Sequence, residues 1–433
     1  MKVAVAGLWH LGTVTAACLA GGGHDVTAYD PDPERIARFQ RGILPLFEPG
    51  LEERVKRETA AGRLRFTGDR RDAVAGASLV WMTYDTPVDD EDRADVEYVK
   101  SEVESFFPVI PSGTSVLISS QLPVGTTSAL ARSYRTAFPD RRVPFSYSPE
   151  NLRLGKAIQV FTRPDRVVLG LGDESDKEKY QALWRPFTER IEWMSVESAE
   201  MTKHALNAFL AVSVTFANEI AVLCERAGAD AKEVERGLKS EERIGPKAYL
   251  SPGGAFAGGT LARDVSFLVQ LGSGFNEPVR LLSSVRASNE YHKEWIRRKL
   301  AGLYGNLEGA TIAVWGLTYK PGTSTLRRSS AVELCLWLAG QGAIVRAHDP
   351  AISQLPSELE GKLSLAESPL SALKGASALV VATEWPEYGE FPAEDMIREM
   401  ERPLVIDINR FLSKTAERNG GIRYVTVGRP ERS

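Results

Sequence analysis

The sequence predicts an α/β protein in which two doubly wound parallel-sheet domains are joined by a helical segment built on one long helix. Three observations carry this expectation. Strand and helix patterns alternate from residue 2 to about residue 195, a single apolar helical pattern then runs from Ser198 to about Ala227, and the alternation restarts near Ala310. The expected division is 1–195, 196–300 and 301–433, with a glycine-rich loop at 243–264 inside the middle segment.

Composition bounds the function classes. A chain of 433 residues exceeds what one core fills, since single cores stop growing at roughly 250–300 residues. An apolar fraction of 43% and a charged fraction of 25% are those of a soluble globular protein. The net charge of −4 gives no electrostatic case for nucleic acid or an anionic membrane as a partner. The opening MKVAVAGLWHLG reads as a buried strand and not as a signal peptide. No uninterrupted apolar stretch approaches the ~18–20 residues that span a bilayer. Cys18, Cys224 and Cys335 all lie on apolar helical patterns, which suits buried thiols in a reducing cytoplasm. Neither they nor the five histidines have metal-ligand spacing, so no metal is expected.

The first elements are a strand, KVAVA, a turn, Gly7-Leu-Trp-His-Leu-Gly12, and an alanine-rich helix to about Ala20. That order is the context in which a dinucleotide fingerprint acquires meaning. The expected fold is Rossmann-like, and Gly7, Trp9, His10, Leu11 and Gly12 become candidate cofactor contacts. A second strand, HDVTAYD, ends in Asp30, where an acid accepts hydrogen bonds from ribose hydroxyls and repels a 2′-phosphate, which favours NAD over NADP. Arg35 is grouped with this cofactor set. The middle fingerprint position is Trp9 instead of glycine, which puts the usual pyrophosphate geometry in question.

Further strands are expected within SLVWMTYDTP, SVLISSQLPVGTT, FSYSPENLRLGKAI and RVVLGLG. Ligands bind beyond the carboxyl ends of such strands. Thr86, Pro87, Ser120, Gln121 and Glu150 fall there. On the long helix, Lys203 and Asn207 are spaced i, i+4 and share a face, so they can reach one ligand together. A helix this apolar is expected to be buried on several sides. Between a helical pattern ending near Leu238 and another starting near Asp264, the stretch RIGPKAYLSPGGAFAGGTLARD concentrates Gly245, Gly253, Gly254, Gly258 and Gly259, as a loop that lets backbone approach a ligand does. Asp264 also suits a helix cap. After Ala310 a second α/β domain follows, with a strand ending in Asp349. Its glycines are too sparse for a second dinucleotide site, but its first turn offers Lys320 and Arg327 for a diphosphate.

These segments resemble, in order, those of the UDP-glucose/GDP-mannose dehydrogenase family: GLWHLG, Thr86-Pro87, LPVGTT, SPENLR.GKAI, AE.TKHALNAFLA, the central glycine loop and GLTYKPGT…RRSS. The resemblance implies an NAD domain, a helical middle that forms a homodimer interface, and a C-terminal nucleotide-sugar-binding domain. It implies an alcohol oxidised twice, through a cysteine thiohemiacetal and thioester. It places Lys203 and Asn207 at the reacting oxygen, Asp264 at the base or water, and Glu150 where water is handled. It places Asn151, Leu152, Arg153, Tyr249, Leu250, Gly253, Phe256, Gly258, Lys320 and Arg327 around the sugar nucleotide, with Arg243 reaching from a second subunit.

The departures cluster at the chemistry. Thr260 stands where the resemblance implies the nucleophilic cysteine, Gln121 where it implies a threonine, Leu154 where it implies a glutamate, and Arg263 where it implies a lysine. Ser324 and Thr325 replace an acidic pair. A threonine hydroxyl is a very poor nucleophile without a strong base. The expected reaction is therefore one two-electron oxidation of a hydroxyl on a UDP- or GDP-sugar to a carbonyl such as a ketone, in the making of an unusual amino sugar or high-carbon sugar. The alternatives are a four-electron UDP-glucose 6-dehydrogenase with a water-only second step, an epimerase that retains its NAD, and a non-catalytic sugar-nucleotide binder.

Overall fold

A computed structural model describes residues 1–89, 94–257, 259–418 and 420–431. The chain separates into two compact units, Met1–Leu206 and Asn207–Ser433.

The first unit is built on an eight-stranded sheet. Its strands are β1 (Lys2–Ala6), β2 (Asp25–Tyr29), β3 (Leu64–Thr67), β4 (Leu79–Met82), β5 (Ser115–Ile118), β6 (Phe145–Tyr147), β7 (Val167–Leu171) and β8 (Ile191–Ser195), in the order β3-β2-β1-β4-β5-β6-β7-β8. Every neighbouring pair is parallel except β6 with β7. The interior strands are mostly apolar and buried because helices cover both faces, with polar residues such as Asp25, Thr27, Ser115 and Ser146 as exceptions. Val3, Val5, Trp81 and Leu117 face one core; Ala4, Val80, Met82, Val116 and Ile118 face the other. Strands β3 (LRFT) and β8 (IEWMS), at the two edges, are broken by polar residues and do not stand out as sequence patterns.

The second unit holds a six-stranded parallel sheet of β9 (Thr311–Trp315), β10 (Ile344–His348), β11 (Ser364–Leu365), β12 (Ala378–Val381), β13 (Leu404–Asp407) and β14 (Arg423–Val425), ordered β11-β10-β9-β12-β13-β14. Both sheets reverse direction of growth at their first strand, as doubly wound folds do.

The central helix, Val196–Ala227, has 32 residues. Its first turns pack into the first unit through Val196 and Ala199, and its last turns pack into the second through Ala221 and Cys224. As expected the helix is buried on several sides, but one stripe stays open: Phe209, Phe216 and Leu223 are exposed. Among the described residues this helix is also long and apolar enough, by length and composition alone, to cross a bilayer. Single polar residues interrupt its apolar run without offsetting its average. Buried Glu200 accepts from the Gly125 and Thr127 amides, and buried Lys203 and Asn207 also have protein partners.

Candidate active site

In the first unit the candidate residues gather beyond the carboxyl ends of β1, β2, β4, β5 and β6. Gly7 has φ +95°, and a Cβ there would lie 2.8 Å from the Tyr84 ring. At Gly12 a Cβ would lie 1.9 Å from the Gly7 carbonyl oxygen. These two positions admit only glycine. Trp9 is the N-cap of the first helix (His10–Gly21), is 43% exposed, and has the Arg35 guanidinium 5.7 Å from its ring centroid. The missing middle glycine is thus replaced by a side chain that lies over the surface. Leu11 is buried behind the turn.

Asp30 is buried. Its Oδ2 accepts from the Leu8 amide at 2.8 Å and from Arg35 Nη1 at 2.9 Å, and its Oδ1 accepts from the Asp32 amide at 3.0 Å. Oδ1, with a single donor, keeps acceptor capacity for a ribose hydroxyl. In the second unit, Asp349 Oδ2 instead receives the Leu317 and Thr318 amides, the Thr318 hydroxyl and the Trp385 indole, which leaves no such capacity on that oxygen. Thr86 Oγ1 donates to the Gln121 carbonyl at 2.7 Å, tying the ends of β4 and β5. Pro87 lies in the same turn. Buried Ser120 carries a hydroxyl with no hydrogen-bond partner among the described residues. A glycine turn at a helix start, a buried acid and an unpartnered hydroxyl fit a dinucleotide: the Gly7–Gly12 turn would hold its pyrophosphate and Asp30 its ribose.

Lys203 is 7% exposed and donates to the Glu150 carbonyl oxygen at 2.6 Å, with Glu150 Oε1 3.6 Å away. Glu150 Oε2 accepts from the Leu152 amide at 2.9 Å, so its carboxylate folds back on its own loop. Asn151 and Arg153 are exposed beside it. Buried Gln121 lies in the loop that follows β5.

In the second unit, Asn207 Nδ2 donates to Asp264 Oδ2, and both residues are buried. The helix after the glycine loop spans Thr260–Gly274 and starts earlier than the sequence pattern suggests. Asp264 is consequently in its second turn and is not a cap. The exposed Thr260 is the first helical residue, with Gly259 (φ +102°) as N-cap. Thr260 and Asp264 are one turn apart on one face. Gly258 lies outside the described residues.

The loop is held by side chains that the sequence reading did not select. Asn218 Oδ1 accepts from the Gly253 amide at 3.0 Å, and His292 Nε2 lies 2.8 Å from the Gly253 carbonyl. Asn409 Oδ1 accepts from the Gly254 amide at 2.7 Å, close enough that a Cβ on Gly253 would lie 2.4 Å from it. Asn289 closes both backbone groups of Phe256, at 3.0 and 2.8 Å. Asn218, a polar residue at a buried position of the apolar central helix, was an available signal, whereas Asn289 and His292 lie on a largely polar helix and Asn409 in an exposed turn, where no such pattern marks them. Tyr249 is 60% exposed and Leu250 half-buried. Arg243 is exposed and paired with Glu241 at 2.9 Å. Lys320 is half-buried and Arg327 exposed, in the turn after β9.

All three thiols lie outside this loop. Burial pushes Cys18 and Cys335 each up to about 12 and raises Cys224 as well, so none is ionised near neutrality.

Comparison with known proteins accounts for this arrangement. Residues 1–188 match the NAD binding domain of the UDP-glucose/GDP-mannose dehydrogenase family, residues 197–291 its central domain and residues 313–414 its UDP binding domain. The chain is 36% identical over 439 residues to a UDP-glucose 6-dehydrogenase of Rhizobium meliloti, covering 100% of both chains. A UDP-glucose 6-dehydrogenase of Pseudomonas aeruginosa is 34% identical, covering 99% of this chain and 98% of the relative. The structure of a UDP-glucose dehydrogenase from Pyrobaculum islandicum superposes with a TM-score of 0.87 at 29% identity, over 99% of this chain and 98% of that one. With its NAD-binding turn and its UDP-binding C-terminal domain, the chain belongs to the UDP-glucose/GDP-mannose dehydrogenase family and is an NAD-dependent nucleotide-sugar dehydrogenase.

Proposed function

We propose that the chain oxidises the C6 hydroxyl of a UDP-hexose, the reaction for which its relatives are named. Full-length likeness at 36% identity to a UDP-glucose 6-dehydrogenase carries this reading. NAD, held by the Gly7–Gly12 turn and Asp30, would supply the hydride acceptor for the carbinol carbon. Lys203, buried and held at 2.6 Å by the Glu150 carbonyl, takes the hydroxyl proton or stabilises the developing alkoxide. Asn207 presents its amide one helical turn away, and Asp264 holds the water that exchanges protons. Thr260 and Gln121 line the site without forming a bond to substrate. Asn151, Leu152, Arg153, Tyr249, Leu250, Gly253 and Phe256 contact the sugar nucleotide, with Lys320 and Arg327 at its diphosphate. The working division is 1–195 for NAD, 196–300 for the helical middle and 301–433 for the nucleotide sugar.

An acid product then requires that water add to the aldehyde and that the hydrate lose a second hydride, because no thiol is available for a thioester. The observation that favours a second reading is Thr260 itself: a hydroxyl without a strong base does not capture the aldehyde. A single oxidation, ending at a carbonyl, is the outcome if hydration is not catalysed. NADH formed per UDP-glucose consumed distinguishes them. Two with UDP-glucuronate support the first reading; one with a carbonyl product overturns it.

The exposed stripe Phe209, Phe216 and Leu223 supports a homodimer whose second copy covers it and brings Arg243 to the neighbouring subunit. Sedimentation of Phe209→Lys as a monomer, with the wild type dimeric, checks this. Unpaired thiols favour a cytoplasmic location.

A further inference from the structure

None of the roles above uses Glu48, a carboxylate 4% exposed between the second and third helices, Pro33–Gln40 and Leu51–Ala60. Its two oxygens receive three donors. Oε2 lies 3.1 Å from His10 Nε2 and accepts from the Gly155 amide at 2.8 Å, while Oε1 accepts from the Ala157 amide at 2.8 Å. His10 is the first residue of the helix whose start forms the dinucleotide turn. Gly155 and Ala157 end the loop that begins at Glu150, and Glu150 holds Lys203 through its carbonyl. One buried side chain therefore joins the cofactor turn to the loop that places Lys203. The joint is stiff, because charge-assisted hydrogen bonds are short and a buried carboxylate that loses a donor is costly.

We propose that Glu48 is a positioning residue that transmits cofactor occupancy to Lys203. With the helix start fixed by a bound dinucleotide, His10 holds Glu48, and Glu48 holds residues 150–157 in the conformation that fixes Lys203 Nζ. In the free protein the same three donors remain, but the helix start is not held from the ligand side and the loop exchanges more freely. This inference rests on the role proposed for Lys203.

Amide hydrogen exchange of peptides covering residues 153–159, with and without saturating NAD, tests the coupling without any turnover. In the wild type, NAD slows exchange there. In His10→Ala, which keeps Glu48 on its two amides, exchange without NAD stays close to wild type, and NAD at a concentration that calorimetry shows to saturate this variant no longer slows it. A merely structural Glu48 leaves the NAD effect equal in the two proteins, and that equality, or no NAD effect in the wild type, overturns the proposal. A kinetic arm uses Glu48→Gln: kcat at saturating substrates falls about tenfold or more while the NAD dissociation constant changes less. An unchanged kcat in E48Q also overturns it. If Lys203→Ala retains full activity, the reading of Lys203 fails, whereas the exchange result still reports on the Glu48 linkage by itself.

Discussion

The side-chain amide of Asn207, on the central helix, donates to the carboxylate of Asp264, in the second turn of the helix that follows the glycine loop, and water reaches neither group freely. A buried carboxylate needs such a partner, since an unpaired charge in the interior is costly. Asn207→Ala should destabilise the protein by about 1.5–3 kcal/mol, the range for a hydrogen bond to a charged group. In a denaturation double-mutant cycle, Asn207→Ala and Asp264→Ala together should cost less than the sum of the two alone. Strict additivity would show that the pair is not coupled.

Lys203→Ala should lower kcat by about 10²–10⁴-fold, the usual worth of a group that transfers the reacting proton. NAD binding, measured by calorimetry, should persist because the Gly7–Gly12 turn and Asp30 are untouched. Wild-type turnover in this variant refutes the assignment.

Gly12→Ala should abolish NAD binding. The added Cβ would meet the Gly7 carbonyl oxygen at 1.9 Å, a backbone atom that cannot rotate away. Trp9→Ala should retain binding, because the indole is 43% exposed and its loss opens no cavity. Comparable dissociation constants for Gly12→Ala and wild type would contradict this geometry.

Iodoacetamide at neutral pH should leave wild-type activity intact. Cys18 and Cys335 are each pushed up to about 12 by burial and Cys224 is raised by the same cause, so thiolate is scarce and inaccessible. Thr260→Cys places a thiol at an exposed helix start, where the helix dipole favours the thiolate, and should become sensitive. Labelling followed by mass spectrometry and activity assay reads both outcomes. Rapid inactivation of the wild type overturns the reading of the buried thiols.

Burial holds His292 below the ordinary histidine value, against the opposing effect of its bond to the Gly253 carbonyl. The unfolded chain takes up this proton as pH falls through about 6.5 and the native protein resists, so stability is full above that value and is lost as pH falls below it. His24 and His348 are lowered by burial and act in the same direction. Burial raises the carboxyls of Glu200 and Asp407, and also that of half-buried Glu384, and these act oppositely. The informative readout is therefore a difference. Between about pH 7 and pH 5, Tm of His292→Gln should fall less than that of the wild type. Equal slopes would remove His292 from the titration.

The alternation of strand and helix, the two sheets, the long helix and the glycine turn from Gly7 to Gly12 were legible in the chain, because apolar periodicity and glycine turns act over a few neighbouring residues. The edge strands β3, β8, β11 and β14 were not, each being only a few residues long or broken by polar residues, and neither was the start of the Thr260–Gly274 helix, where the loop glycines masked the helical pattern. What the sequence by itself determined is the cofactor turn, the family of the chain and the absence of a thiol from the central loop. Tertiary structure alone decided that Asp264 pairs with Asn207 instead of capping its helix, that Asn218, Asn289, His292 and Asn409 hold the glycine loop, and that Glu48 joins the cofactor turn to residues 155–157. Those partners stand tens to hundreds of residues apart, and burial, which makes an unsatisfied polar group costly, is what brings them together.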